Sequence, residues 1–206
     1  MPLAIDKYIA GFSGIFATQK DRLPWHVTQN LAGLLQEMLP HLDAAYVIRD
    51  GVAVHKTAIV ESNVVLKAPV IIGEGCFIGA NAYLRGGVYL GKGSTIGTGC
   101  EVKTSIVLHH SAIAHFNFIG DSLIGSNVNF EAGAIIANHY NERKDKRISV
   151  VAGAEIIATQ VEKFGALVGD NCKIGANAVL SPGTVLEKGS LVKRLALVEQ
   201  LAASSS

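Results

Sequence analysis

An aliphatic residue returns at every sixth position between Val54 and Val102: Val54, Val60, Leu66, Ile72, Ile78, Leu84, Leu90, Ile96 and Val102. Four residues after each comes a small or β-branched one: Ala58, Val64, Val70, Cys76, Ala82, Val88, Ser94, Cys100 and Ile106. Glycine commonly follows the aliphatic position, as in Ile72-Gly73, Ile78-Gly79, Leu90-Gly91 and Ile96-Gly97. A helix repeats at 3.6 residues and a free strand at 2, so neither explains a strict six. Short parallel strands joined by tight corners do, each hexad forming one side of a coil. If three hexads close a coil, residues eighteen apart stack at roughly 4.8 Å, and about seven coils give a prism on the order of 35 Å long.

The 206 residues are enough for one domain with small appendages. The 22 glycines suit tight corners, and a net charge of +1 argues against nucleic acid as the main partner. No stretch is long and apolar enough to span a bilayer, and Asp6 and Lys7 interrupt the start where a signal peptide needs an apolar core, so a cytoplasmic location with no membrane partner is expected. Cys76, Cys100 and Cys172 all fall at the small position of their hexads and form no C-x-x-C pair, which makes them core thiols rather than a metal or redox set.

Residues 1–50 lack the period. Asn30 to Leu42 reads as an amphipathic helix on Leu31, Leu34, Leu35, Met38 and Leu39, and Tyr8, Ile9, Phe12, Ile15 and Phe16 indicate an earlier one. Pro24-Trp25 separates them and Pro40 ends the second. The expected role is a cap on the open edge of the first coil. Stacking by eighteen aligns Lys67, Arg85 and Lys103 in one outward column. Three like charges so close repel unless solvent or an anion relieves them, so a phosphate or carboxylate site is expected there.

Regularity fails once. Leu108 and Ala114 continue the step of six, but Ile124, Phe130 and Ile136 come next, two residues short, and the gap holds His115-Phe116-Asn117-Phe118-Ile119-Gly120-Asp121. After Ile136 a polar loop, Asn138 to Arg147, interrupts again with four basic residues. Loops on rigid scaffolds are where binding chemistry concentrates. The period resumes near Val150 and Ile156 and runs through Val168, Ile174, Leu180, Leu186 and Val192, while Leu191 to Ala203 reads as a terminal helix.

The hexads resemble the hexapeptide-repeat family, whose chains wind into a left-handed parallel β-helix of triangular section. The run from His115 to Asp121, then Ile124-Gly-Ser-Asn-Val-Asn-Phe-Glu-Ala-Gly-Ala-Ile-Ile-Ala-Asn138, resembles the acetyltransferase domain of the bifunctional N-acetylglucosamine-1-phosphate uridyltransferase/glucosamine-1-phosphate acetyltransferase family. Archaeal sugar-1-phosphate nucleotidylyltransferases are similar, including in Lys163 to Asp170. This organisation divides the chain into a helical N-terminal cap (1–50), a β-helix acyltransferase domain (51–193) and a C-terminal helix with a frayed end (194–206).

The resemblance implies direct acetyl transfer from acetyl-CoA to an amino-sugar phosphate such as glucosamine-1-phosphate, with no metal and no covalent enzyme intermediate. It makes His115 the catalytic base. Arg85 and Lys103 hold the sugar phosphate; Asn129 and Asn138 orient substrate, Asn138 at the reacting centre; Lys144 adds a basic group. It also implies a homotrimer with sites between subunits and CoA along the prism, near Gly169 and Asp170. Lys188 is a candidate for the CoA phosphates by charge. An ammonium cannot attack a thioester, so a neutral imidazole is a suitable proton acceptor.

The chain departs from that family where Phe118 replaces a usual Tyr near the sugar, His139 replaces another Tyr, and Asp170 replaces a Ser. A lost hydroxyl costs about 1 to 3 kcal/mol if its partner stays buried, enough to change acceptor preference. The family's nucleotidyltransferase domain has no counterpart in these residues, which points to a free-standing acyltransferase or a partner of a separate nucleotidyltransferase. Two other readings compete. His110 and His115 have the spacing of γ-class carbonic anhydrases, but Glu74 stands where their third metal-binding His is expected. A non-catalytic scaffold would keep the hexads but has no need of Arg85, Lys103, His115, Asn129, Asn138 and Lys144 together.

Overall fold

The computed structural model describes residues 3–201. It is a parallel β-solenoid that matches a left-handed β-helix of hexapeptide repeats. Each coil has three sides. The first carries Val52–His55, Val70–Ile72, the second halves of Tyr83–Leu90 and Glu101–Val107, Leu123–Ile124, Ala166–Val168 and Thr184–Leu186. The second is a separate seven-stranded ladder from Ile59–Val60 to Leu191–Val192. The third runs from Val65–Leu66 through Phe118–Gly120 and Ile135–Ile136 to Leu197–Val198.

Inside the prism lie the hexad aliphatics and their small companions, packed as one apolar column. The three thiols lie in that column's corners, buried, with burial pushing each pKa up. Each donates to a carbonyl of the next coil, Cys100 Sγ to Ala114 O at 2.8 Å for example, as Ser94 and Ser111 do with their hydroxyls.

The register differs from the expected one in an informative way. Early coils pair residues eighteen apart, as in Val70 with Val88, but Val88 pairs with Ser105 and Ile106 with Leu123, seventeen apart. The two missing residues are therefore not lost together after Ala114. One is dropped at Lys103–Ser105 and one at Gly120–Ser122, the same corner in consecutive coils. Val107 and Ile113 point inward, not Leu108 and Ala114. The next coil leaves the solenoid at that corner too: Leu123 pairs with Leu167, forty-four apart, so the loop after Ala137 is an insertion that carries its own antiparallel hairpin, Ser149–Ala152 with Glu155–Ala158.

The N-terminal segment folds as α1 (Ile5–Tyr8), α2 (Phe12–Ile15), α3 (Pro24–Gln29) and α4 (Leu31–Met38). Pro24 begins α3 rather than separating two helices, as suits a residue without an N–H. These helices do not cap the first coil. They lie along the first side, where Ile71, Tyr89, Ile106, Leu123, Leu167 and Val185 form an outward apolar column buried with Phe12, Phe16, Trp25, Leu31 and Leu35. Each such side chain buried contributes about 1.5–3 kcal/mol, which no solvated face of a prism supplies. Gly87, at φ +92°, lets α4 approach: a Cβ there would lie 3.1 Å from the Ala32 nitrogen. Tyr46–Arg49 folds back antiparallel on Val52–His55 and covers the first coil's edge instead.

The terminal helix is also replaced. Leu191–Val192 and Leu197–Val198 are strands that continue the second and third sides, and residues 202–206 lie outside the described ones. Leu191, Leu195 and Val198 fit helical spacing, but Val192 and Val198 fit the hexad, and stacking on the coil below decides for the hexad.

Candidate functional site

The corner that drops residues gathers the polar chemistry. Leu66 pairs with Leu84, which sets Lys67 beside Arg85, and Arg85 pairs in register with Lys103, so the expected column of cations is in place before Lys103 meets Gly120. It is not a bare positive patch. Arg85 Nε donates to Glu101 Oε1 at 2.7 Å, and Lys103 Nζ to Asp121 Oδ2 at 2.6 Å. The repulsion expected between stacked cations is thus relieved by the chain's own carboxylates. The first pair is about one-third exposed and screened; the second is nearly buried, its Asp121 side chain 9% exposed.

Asp121 is the hub. Its backbone adopts φ +46°, a left-handed conformation that Asp tolerates better than most residues, and its N–H donates to Lys103 O at 2.8 Å. Asn138, buried, donates from Nδ2 to the same Asp121 Oδ2, and Asn138 Oδ1 lies 3.2 Å from His139 Nδ1. The root of the insertion is fixed here: Phe164 N donates to Asn138 O at 3.0 Å and Gly165 N to Asp121 O at 2.9 Å. A Cβ on Gly165 would strike Gly120 O and Ser122 Oγ, so only glycine lets the chain return. The insertion is held further by Tyr140, whose hydroxyl donates to Pro182 O at 3.0 Å while the Arg143 guanidinium lies 3.4 Å over its ring. Lys144 is exposed on this loop.

Phe118 lies outward on the third side, half-buried between the Glu101 and Ile135 strands. His115 stands at the other end of that side, exposed at the corner that follows the second. Its carbonyl accepts from Gly133 N at 2.9 Å and Asn117 Nδ2 at 3.2 Å. Asn129 is on the second side, in a groove of about 480 Å³ lined also by Glu131, Lys173, Lys193 and Arg194. Within one chain, then, Lys103, Asn138 and His139 are linked through Asp121, with Arg85 one coil away beside Lys103 and Phe118 on the neighbouring strand, while His115 and Asn129 lie elsewhere.

Gly169, Asp170 and Lys188 occupy the remaining corner. The Asp170 carboxylate is buried and spent inside the chain: Oδ2 accepts from Ala10 N at 2.7 Å, Oδ1 from Ser126 N at 2.8 Å, and Lys188 Nζ stands 3.6 Å away. Asp170 N in turn donates to Tyr8 O at 2.9 Å. The Asp170 side chain ties the N-terminal segment to the solenoid and does not fit a clamp for CoA phosphates. Lys188, 40% exposed at the side chain, fits by charge alone.

Asp121 and Glu101 are the site residues that the sequence reading passed over. Glu101 carried a signal: it and Lys103 flank inward Val102, so alternation puts both outward. Glu74 faces Lys92 at 2.9 Å, which holds its carboxyl below the usual range, and burial lowers the pKa of half-buried His109. Among the described residues no group of three or more His, Cys, Asp or Glu is placed to hold a metal ion, and no helix is long and apolar enough to cross a membrane.

Two stretches match hexapeptide families: residues 69–104 the bacterial transferase hexapeptide (six repeats), and residues 165–193 the hexapeptide repeat of succinyl-transferase. Among curated proteins, the bifunctional protein GlmU of Methanococcus vannielii is 38% identical over 63 residues, 31% of this chain and 14% of that protein. The bifunctional sugar-1-phosphate nucleotidylyltransferase/acetyltransferase of Sulfurisphaera tokodaii is 35% identical over 63 residues, 31% of this chain and 15% of that one. The matched stretch is thus about one-seventh of these relatives. A Bacillus cereus structure provisionally described as an acetyltransferase is 15% identical at a TM-score of 0.25, covering 65% of this chain and 76% of that one. The family matches and curated relatives support an acyltransferase.

Proposed function

For this hexapeptide-repeat chain of the acyltransferase kind, we propose transfer of an acetyl group from acetyl-CoA to the amine of an amino-sugar phosphate. The observation that carries the reading is the cluster at the insertion root, where Asp121 joins Lys103 to Asn138 and His139 while Arg85 stands in register beside Lys103. Carboxylates and amides of this kind recognise a sugar's ammonium and hydroxyls. Arg85, at the rim, meets the phosphate by exchanging Glu101 for it. Phe118 and Lys144 line the acceptor, Asn129 contributes from its groove, and Gly169 and Lys188 lie on the donor's path.

The amine nitrogen attacks the thioester carbonyl, the carbon–sulfur bond breaks, and the departing thiolate takes up a proton. His115 removes the proton from the attacking nitrogen. The working unit is a homotrimer, which brings His115 of one copy toward the insertion root of another. A separately encoded nucleotidyltransferase is a candidate consumer of the product.

The test is thiol release from acetyl-CoA across amino sugars with and without a 1-phosphate. His115→Ala is expected to lower kcat about 10²-fold or more. Arg85→Ala is expected to weaken the phosphorylated acceptor alone. Equal loss for both acceptors removes the phosphate-holding role, and unchanged turnover in His115→Ala removes the base.

A further inference from the structure

The hydrogen bonds at the insertion root fix the tautomer of one imidazole in advance. Asp121 Oδ2 already accepts from the Lys103 ammonium at 2.6 Å, and a carboxylate paired in this way can only accept. Asn138 must therefore turn its NH₂ toward Asp121, which leaves Oδ1 toward His139. An amide oxygen also only accepts. In the neutral ring His139 Nδ1 consequently carries the hydrogen and donates over 3.2 Å, which puts the lone pair on Nε2 of an exposed ring. This is the arrangement of an oriented base: an imidazole held by an acceptor at one nitrogen and free at the other, with the acceptor itself held by a buried charge pair. Among the described residues the His115 side chain has no comparable partner; its carbonyl is the group that is bonded.

We propose that His139 is a proton-accepting catalytic residue, with Asn138 and Asp121 as its positioning residues; this rests on the amine-acylation reading above. Proton balance gives it work that His115 does not cover. An acceptor ammonium carries three hydrogens and the product amide keeps one. One proton must leave before the nitrogen has a lone pair to attack with, and the other leaves after the carbon–nitrogen bond forms. His139 Nε2 takes the first and passes it to solvent, since the ring is exposed. His115 takes the second and returns it to the thiolate.

The test has two independent readouts. In the free protein, long-range nitrogen–proton NMR on His139 is expected to show the Nδ1–H tautomer, lost in Asn138→Ala. In the thiol-release assay, His139→Ala is expected to lower kcat about 100-fold with KM little changed, to alter the acid limb of the pH–rate profile, and to recover turnover when free imidazole is added. An Nε2–H tautomer, full kcat in His139→Ala, or a loss that imidazole does not restore would overturn the assignment. Wild-type turnover that survives His139→Ala refutes this proposal alone. A wild type that acylates no amine acceptor refutes the transferase reading and this one with it.

Discussion

Asp121 shows how one side chain sets both strain and charge. It sits at φ +46° because one residue is missing from its corner, and its carboxylate holds Lys103, whose side chain is only 16% exposed. Removing one partner of such a pair strands the other charge, so Asp121→Ala should lower stability by about 3 kcal/mol. The double change Asp121→Asn with Lys103→Met removes the pair while keeping a residue type that tolerates positive φ, and should stay within about 1 kcal/mol of wild type. Urea midpoints of the three proteins decide this; equal losses in both variants would show that the pair is not what matters. Spacing alone made the neighbours Arg85 and Lys103 legible. Asp121 follows the same rule, eighteen residues after Lys103, but it sits inside the stretch that reads as a register break, which hides it from the column. Leu108 and Ala114, apolar neighbours of Val107 and Ile113, let the longer register look continuous.

The helices along the first side are readable in retrospect. Val70-Ile71-Ile72, Val88-Tyr89-Leu90, Ser105-Ile106-Val107 and Ala166-Leu167-Val168 carry an apolar residue outward as well as inward, the mark of a strand covered on both faces. Period six hid this, since it tracks only the inward residue. Tyr89 reports on the cover. Its ring meets Phe16 edge-on at 5.1 Å, and burial pushes its pKa up to about 12 from 10. A phenol whose folded value is raised binds its proton more tightly in the native state, so its contribution is full below pH 10 and disappears as pH climbs toward 12. Alkaline unfolding followed by circular dichroism should therefore steepen over that window, and Tyr89→Phe should flatten it. Unchanged curves would mean that the ring opens to solvent before the fold does.

For the whole molecule, the corner between second and third sides is built on left-handed residues: Asn63, Asn81, Gly99, Phe116, Gly133, Asn177 and Leu195. Asn and Gly suit that backbone; Phe116 and Leu195 do not, and they are 69% and 78% exposed. Bulky residues there cost about 1–2 kcal/mol each without burial in their own chain. Phe116→Asn is expected to stabilise the dissociated chain by about 1 kcal/mol and, if the proposed homotrimer packs through this corner, to shift sedimentation toward monomer. Trimers that persist in Phe116→Asn would place the contact elsewhere. The insertion has a different bearing on the molecule as a whole. Its two ends are stitched to Asp121 and Asn138 by main-chain bonds, and the coils above and below stack without it. The segment between is anchored too, with Tyr140, Ile148, Val150 and Val161 buried in the same apolar cluster as the N-terminal helices. Under the proposed transferase reading, acceptor choice can therefore drift only through its exposed positions while those anchors and the spool stay the same.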